Sequence, residues 1–181
     1  MKEQFTFITG NSAKAEQLEK YLAQTVLHQN IDLQEIQSLD IEEVVKEKAR
    51  VAYEKLKKPI LVDDNALIIS SLGKLPGTFI KFFEQELGYE KICKLVDTFN
   101  DRSAEAIVTL GFCDATQTKT FTGIITGRIS DYPKGSGGFG WDNIFIPQGF
   151  DQTRAEMNEE DYDKTSPRRI ALEYFTSFLK Q

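Results

Sequence analysis

The segment "FITGNSAK", residues 7–14, combines the residue types of an anion-binding turn. Its order predicts the end of a strand, a sharp turn and the start of a helix, with Lys14 just inside that helix. Free backbone N–H groups, the positive end of a helix dipole and a nearby lysine together favour an anion, most often phosphate. The segment lacks the GxxxxGK[ST] and GxGxxG patterns of the common nucleotide loops. The alternative interpretation is an ordinary strand-to-helix turn that Ser12 caps.

Two adjacent aspartates in "VDDN" are the second candidate for chemistry. A carboxylate pair at the end of a strand is a common magnesium motif, and the alternative is a strand-end turn with capping aspartates. Successive side chains of a regular strand point to opposite faces, so Asp63 and Asp64 cannot both face one cleft. One of them therefore faces the site and the other supports it. Glu35, in a segment predicted to be a strand, could share the ion or be a structural residue.

Three further groups of residues are suited to a nucleotide. Lys48, in the helix before "VDD", is either a phosphate contact or a solvated helical lysine. In "GSGGFGWD" the glycines let the backbone approach a ligand, while Phe139 and Trp141 offer faces for a base. The alternative for this loop is a turn pinned by an aromatic anchor. Arg168 and Arg169 either solvate the last helix or bond a base or phosphate.

Composition limits the class of protein that these residues serve. The 181 residues suffice for one well-packed domain or for two lobes that share a sheet. The net charge of −6 disfavours a protein that binds nucleic acid by neutralising phosphates. No apolar run has the length of a signal peptide or a membrane span, so we expect a cytoplasmic protein without membrane contact. The single histidine, His28, lies in a polar stretch, which disfavours hydrolases built on Ser/His/Asp or Cys/His.

The elements that must position these residues alternate between strands and helices, which predicts an α/β fold with a mixed sheet. The predicted elements, in chain order, are a strand at 4–9, a helix at 13–22, a strand at 31–37, a helix from the cap Asp40 to about Leu56, two strands separated by the aspartates of "ILVDDNALII", an aromatic-rich helix before Gly88, a helix at 89–98, a hairpin of strands at 104–113 and 118–129, a strand at 143–147, and a helix with Pro167 in its first turn.

Four motifs form a set: "TGNSAK", "LVDDNALIISSLGKLPG", "FGWD", and "AEM" followed by "SPRR". In order and spacing they resemble the inosine triphosphate pyrophosphatase family, the Ham1 type, over nearly the whole chain. The resemblance implies that residues 1–181 are a single domain, in which a long mixed β-sheet flanked by helices floors a central active-site cleft between two lobes. It also implies a homodimeric, Mg²⁺-dependent enzyme. That enzyme hydrolyses inosine and xanthosine triphosphates and their deoxy forms to the monophosphate and pyrophosphate.

The resemblance also assigns roles position by position. It implies that Asp64 orients the attacking water and that Glu35 and Asp64 hold the metal. It implies that the turn and a helical lysine grip the triphosphate, whereas "FGWD" and an arginine contact the sugar and base. The implied substrate contacts are Thr9, Gly10, Asn11, Lys14, Lys48, Asn65, Phe139, Gly140, Trp141, Asp142 and Arg168.

Three positions depart from the pattern of that family. Asn65 replaces a serine or threonine, Tyr162 replaces a lysine near the base, and Pro167 replaces the histidine of a Ser-His-Arg motif. The catalytic residues are therefore kept, while residues that read the base are altered. Two other functions stay open: a nucleotide-binding sensor that has lost turnover, and a pyrophosphatase for modified pyrimidine or other altered nucleotides.

Overall fold

The structure of the protein is a computed structural model, and it describes residues 5–180. The predicted strand start at Gln4 lies outside these described residues. The elements, in chain order, are β1 (Thr6–Ile8), α1 (Ser12–Leu22), β2 (Leu27–Gln29), α2 (Ile41–Leu56), β3 (Ile60–Ile69), β4 (Pro76–Gly77), α3 (Ile80–Leu87), α4 (Tyr89–Asp97), β5 (Ser103–Cys113), β6 (Thr118–Ile129), β7 (Phe145–Pro147), α5 (Glu159–Lys164) and α6 (Pro167–Phe178), with short 3₁₀ helices at Ser70–Leu72, Gly140–Asn143 and Arg154–Glu156.

The seven strands form one mixed sheet. Its order is β2-β1-β3-β5-β6-β7, and β4 pairs with β3 outside this path. Strand β1 runs parallel to β2 and to β3, whereas β4 is antiparallel to β3 and β7 is antiparallel to β6. The predicted α/β fold with a mixed sheet flanked by helices is confirmed. None of the helices in the described range has the length and apolar character that a membrane span requires.

The chain divides into two compact units. Unit 1 consists of Met1–Asp64, Val108–Gly123 and Arg168–Gln181, and unit 2 consists of Asn65–Ile107 and Ile124–Pro167. Each unit has its own apolar core. In unit 1 the buried aromatic rings of β1, β5 and α6 pack together, and in unit 2 the core joins β3, α4 and β7.

Both predicted caps involve short polar side chains, and one of the two predictions is wrong. Asn11, not Ser12, caps α1, because its extended backbone lets Oδ1 accept the N–H of Ala13 at 3.0 Å. Ser12 is the first helical residue. Asp40 caps α2 as predicted and accepts the N–H groups of the second and third helical residues. Each cap satisfies donors that have no partner inside the first turn of a helix.

Two predicted strand boundaries are also wrong. Residues 31–37 form no strand, and the second strand is Leu27–Gln29, which includes the exposed His28. Apolar alternation alone does not make a strand, and this segment is held instead by lysines of α2, which bond Asp32 O and the Glu35 carboxylate. The segment "ILVDDNALII" is one continuous strand, β3, rather than two. Its aspartates do not interrupt the strand because the buried carboxylate is neutralised in place, as described below.

Candidate active site

The turn between β1 and α1 presents an exposed helix N-terminus. The Asn11 N–H donates to Thr9 Oγ1 at 3.1 Å, which fixes the turn, while Gly10 and Asn11 are both exposed. At Gly10 a Cβ atom would lie 3.0 Å from Asn30 Oδ1, so a larger residue would crowd the turn. Helix α1 continues for 11 residues behind it, long enough for its dipole to act at this end. The predicted anion-binding geometry is therefore available here.

Asp63 is the electrostatic centre of unit 1. Its carboxylate is buried and is 3.2 Å from Lys14 Nζ, and it accepts a hydrogen bond from the Arg168 guanidinium. Burial by itself would raise the pKa of Asp63, but Arg168 and Lys14 outweigh it and hold this pKa well below its usual range. Two cations therefore neutralise this one buried carboxylate. Lys14 keeps 16% of its side chain exposed, so it can also contact a ligand.

Lys48 connects Glu35, one of the two predicted metal carboxylates, to β3. Its Nζ lies 2.6 Å from Glu35 Oε1 and donates to the backbone oxygen of Asp63 at 3.4 Å. Burial would lower the pKa of Lys48, but the charges of Asp64 and Glu35 raise it above its ordinary value. Lys48 is therefore a firmly protonated cation beside Glu35 and the half-buried Asp64. This is the position that a phosphate-binding lysine would need.

The carboxylates of unit 1 could supply some, but not all, of the ligands of a metal ion. In the part of the chain that the structure describes, no group of three His, Cys, Asp or Glu side chains could hold a metal by itself. Asp63 is buried between two cations, so the more exposed carboxylates of Glu35 and Asp64, beside Lys48, are the candidate oxygen ligands. Mg²⁺ commonly uses only one or two carboxylates and completes its shell with water and substrate phosphates. The donor set therefore fits a magnesium ion that arrives with a nucleotide.

The "FGWD" turn of unit 2 is organised by Asp142. This buried carboxylate accepts the Phe139 N–H at 3.0 Å, the Tyr162 hydroxyl at 2.7 Å and Arg154 Nε at 2.8 Å. Gly138 has φ +68°, and a Cβ atom there would lie 2.3 Å from Asp142 Oδ2, so only glycine fits. Phe139 stays 39% exposed as a residue. An aromatic face suitable for stacking is thus held on a rigid turn.

The predicted residues are divided between the two units. The group in unit 1 contains Thr9, Gly10, Asn11, Lys14, Glu35, Lys48, Asp64 and Arg168, and the group in unit 2 contains Asn65, Phe139, Gly140, Trp141 and Asp142. Arg168, which the resemblance assigned to the base, is buried and bonded to Asp63. Its contact with a base stays a prediction.

Sequence reasoning missed two contributors to the site. Asp63 was expected only to support its neighbour, although it joins the phosphate turn to the start of α6. The signal was a charged residue inside an otherwise apolar strand, since such a residue needs a partner of opposite charge. Arg154 was not singled out at all. A lone arginine in a polar segment gives no local sign that it will be buried.

Comparisons with known proteins agree with this geometry. The model of the Ham1 family matches residues 5–178. "Inosine triphosphate pyrophosphatase 2" of Trypanosoma cruzi is 40% identical over 171 residues, which cover 92% of this chain and 87% of the relative. "dITP/XTP pyrophosphatase" of Methanopyrus kandleri is 39% identical over 178 residues, with 96% and 95% covered. The solved structure of the Staphylococcus aureus Ham1 protein superposes with a TM-score of 0.85 at 26% identity over 97% of each chain. Because the model of the Ham1 family matches residues 5–178, almost the full length of the chain, the chain belongs to the Ham1 family.

Proposed function

We propose that the protein is a nucleoside triphosphate pyrophosphatase for non-standard purine nucleotides. Its substrates are inosine and xanthosine triphosphates and their deoxy forms, and its products are the monophosphate and pyrophosphate. The observation that carries the proposal is the buried Asp63 carboxylate, which holds Lys14 of the phosphate turn beside the Lys48, Glu35 and Asp64 cluster. The printed names of the relatives, inosine triphosphate pyrophosphatase and dITP/XTP pyrophosphatase, support the same substrate class.

The proposed reaction is attack of water on the α-phosphorus. The new bond joins the water oxygen to the α-phosphorus, the bond to the bridging oxygen of the β-phosphate breaks, and pyrophosphate leaves with the electron pair. Asp64 orients the water and accepts its proton. Lys14 and Lys48 neutralise phosphate oxygens, a task that preorganised cations perform without reorganisation during the reaction.

The metal has a defined place in this proposal. Glu35 and Asp64 would hold Mg²⁺, which supplies charge neutralisation on the phosphate oxygens when it is bound. Lys48, already beside both carboxylates, offsets part of their charge before a nucleotide arrives.

The base and sugar are assigned to the remaining predicted residues. Phe139, Gly140, Trp141 and Asp142 form the proposed surface for the base and sugar, with Asn65 and Arg168 as further contacts. Thr9, Gly10 and Asn11 complete the triphosphate turn. The homodimer implied by the resemblance and the cytoplasmic location expected from the sequence belong to the same proposal.

Product analysis tests the proposed function. The protein is incubated with Mg²⁺ and separately with inosine, xanthosine, adenosine and guanosine triphosphates, and the phosphate products are separated. We expect pyrophosphate and a monophosphate, produced fastest from inosine or xanthosine triphosphate, and no turnover when a chelator removes the metal. Orthophosphate with a diphosphate would contradict the proposal. Tight binding of the panel without turnover would instead support a nucleotide sensor.

A further inference from the structure

Arg154 is a buried arginine that links three segments of unit 2. It opens the 3₁₀ helix Arg154–Glu156, and only 4% of its side chain is exposed. Its Nε donates to Asp142 at 2.8 Å, and its Nη1 donates to Tyr162 O at 3.1 Å and to Thr165 Oγ1 at 2.7 Å, as well as to the Thr165 carbonyl. The guanidinium carbon also lies 4.0 Å from the centre of the Tyr162 ring. One side chain thus joins the "FGWD" turn to α5 and to the residue that ends α5.

Arg154 and Asp142 form a pair without net charge in the interior of unit 2. One carboxylate oxygen of Asp142 accepts from Arg154, and the other accepts the Phe139 N–H and the Tyr162 hydroxyl. Burial and the nearby Asp142 raise the pKa of Tyr162 to about 12, so its hydroxyl stays protonated at neutral pH and continues to donate. The internal donors therefore define one orientation of Asp142 and, with it, one backbone conformation at Phe139.

The glycine-rich loop before "FGWD" packs against Ala155, the residue next to Arg154. The Gly137 N–H donates to Ala155 O at 3.0 Å, and a Cβ atom at Gly135 would lie 2.5 Å from the Ala155 carbonyl carbon. The loop therefore lies directly against the 3₁₀ helix that Arg154 opens. Because the backbone is closely packed here, a displacement of Arg154 would also displace Asp142 and the loop.

We propose that Arg154 is a positioning residue for base binding, with Tyr162 as its second support. It touches no substrate, since it is buried, and it acts by holding Asp142 so that Phe139 and Trp141 are preorganised to stack on a purine. This inference rests on the proposed function. The resemblance gives no role to Arg154 and treats Tyr162 only as a departure, whereas here the phenol and the guanidinium hold the turn together. Preorganised binding of the base lowers the cost of ordering the turn at each encounter.

The first test is steady-state kinetics of Arg154→Met with inosine triphosphate and Mg²⁺. We expect KM to rise at least about tenfold and kcat to change less than about threefold, because lost binding that is equal in ground and transition states appears in KM. Arg154→Lys, which keeps the charge but not the planar fork, should recover part of the loss. Arg128→Met is the matched control in the same unit, because Arg128 is half-exposed and pairs with the fully exposed Asp151. Its KM should equal that of the wild type.

The second test uses Trp141, the only tryptophan of the chain. Its ring packs against Phe145 with 5.6 Å between ring centres, and it belongs to the turn that Arg154 holds. We expect its emission to shift in Arg154→Met, and we expect the Kd for inosine monophosphate, read from Trp141 quenching, to rise in step with KM. A role in stability alone would leave the emission and this Kd of the folded variant unchanged.

The outcomes separate the two proposals. Wild-type protein that releases no pyrophosphate from any triphosphate refutes the proposed function. Wild-type turnover together with unchanged KM and unchanged Trp141 emission in Arg154→Met refutes the role of Arg154 alone. If Arg154→Met does not fold, Tyr162→Phe becomes the test of the inference. It removes one hydrogen bond to Asp142 and leaves the buried Asp142 paired with Arg154. A KM raised about threefold in Tyr162→Phe supports the inference, and an unchanged KM overturns it.

Discussion

Each unit contains a buried aspartate, and the two differ in what neutralises them. Asp63 in unit 1 is bonded by Lys14 and Arg168, which lie 49 and 105 positions away in the sequence. Asp142 in unit 2 is bonded by one arginine 12 positions away and by two uncharged donors. Asp63 is thus neutralised by two cations from distant segments, whereas Asp142 pairs with a single cation from a nearby one. The two units therefore stabilise a buried carboxylate in different ways.

The comparison also separates ligand contact from positioning. Lys14 keeps part of its side chain in solvent while it bonds Asp63, so it can bind an anion without leaving its partner. Arg154 is enclosed and has all its described partners inside unit 2. Buried ion pairs add little net stability compared with apolar packing, because desolvation offsets their attraction. Their contribution here is to fix the geometry of the groups around them.

The largest effect is expected at Asp63. Asp63→Asn leaves Lys14 and Arg168 without their shared carboxylate, and we expect the free energy of unfolding to fall by about 3 to 5 kcal/mol. Urea denaturation measures this change. The control is Asp151→Asn, whose exposed carboxylate pairs with Arg128 at the surface and should contribute at most about 1 kcal/mol. Equal losses in the two variants would show that Asp63 is not the centre of unit 1.

The next effect concerns chemistry rather than folding. Asp64→Asn should keep the fold, because Asp64 is only half-buried, and should lower kcat for inosine triphosphate at least about 100-fold, since water orientation and metal charge are both weakened. The exposed Asp131→Asn is the control for loss of one carboxylate. Turnover at the wild-type level in Asp64→Asn would remove Asp64 from the reaction.

A smaller effect is expected for the cation that contacts phosphate. Lys14→Ala should raise KM for inosine triphosphate about tenfold with little change in kcat, because its charge meets phosphate in ground and transition states alike. Lys20→Ala, in the last turn of the same helix, should leave both constants unchanged. Lys14 has no part in the site if its variant also leaves both constants unchanged.

The smallest effect tests how unit 2 reads a base. Tyr162 donates to Asp142 and Pro167 offers no polar side chain, so we expect stacking and shape to account for most of the selection of the base. Such a site discriminates by about 10 to 200, whereas polar readers reach about 10⁴. We therefore expect the ratio of kcat/KM for inosine over adenosine triphosphate to stay below about 1,000.

Two variants sharpen this test of base selection. Lys164 pairs with Glu160 and Arg169 with Glu173, each within its own helix, so Lys164→Ala and Arg169→Ala should change the ratio less than about twofold. A ratio well above about 1,000 that both variants retain would refute selection by stacking. A high ratio that either variant abolishes would identify the polar reader.

Local signals predicted most of the fold and part of the site. Helix α2 was predictable because a capping aspartate lies just before its periodic apolar residues. The hairpin β5–β6 was predictable because its two strands are close together in the sequence. The continuity of β3 was not predictable, because the cations that neutralise Asp63 come from distant parts of the chain. The burial of Arg154 likewise depends on Asp142 and Thr165, which no periodicity connects to it. A local sequence pattern does not show which distant residue will neutralise a buried charge.

The distance of 105 residues between Asp63 and Arg168 affects the order in which a growing chain can fold. A ribosome makes Asp63 long before it makes Arg168, and the aromatic residue Phe175 that completes the core of unit 1 comes later still. Until α6 has been made, Arg168 is missing from the Asp63 cluster and Phe175 is missing from the core. The Asp63 cluster and the core of unit 1 can therefore be completed only after α6 has emerged. Unit 2, which ends at Pro167, has all its residues available before that moment.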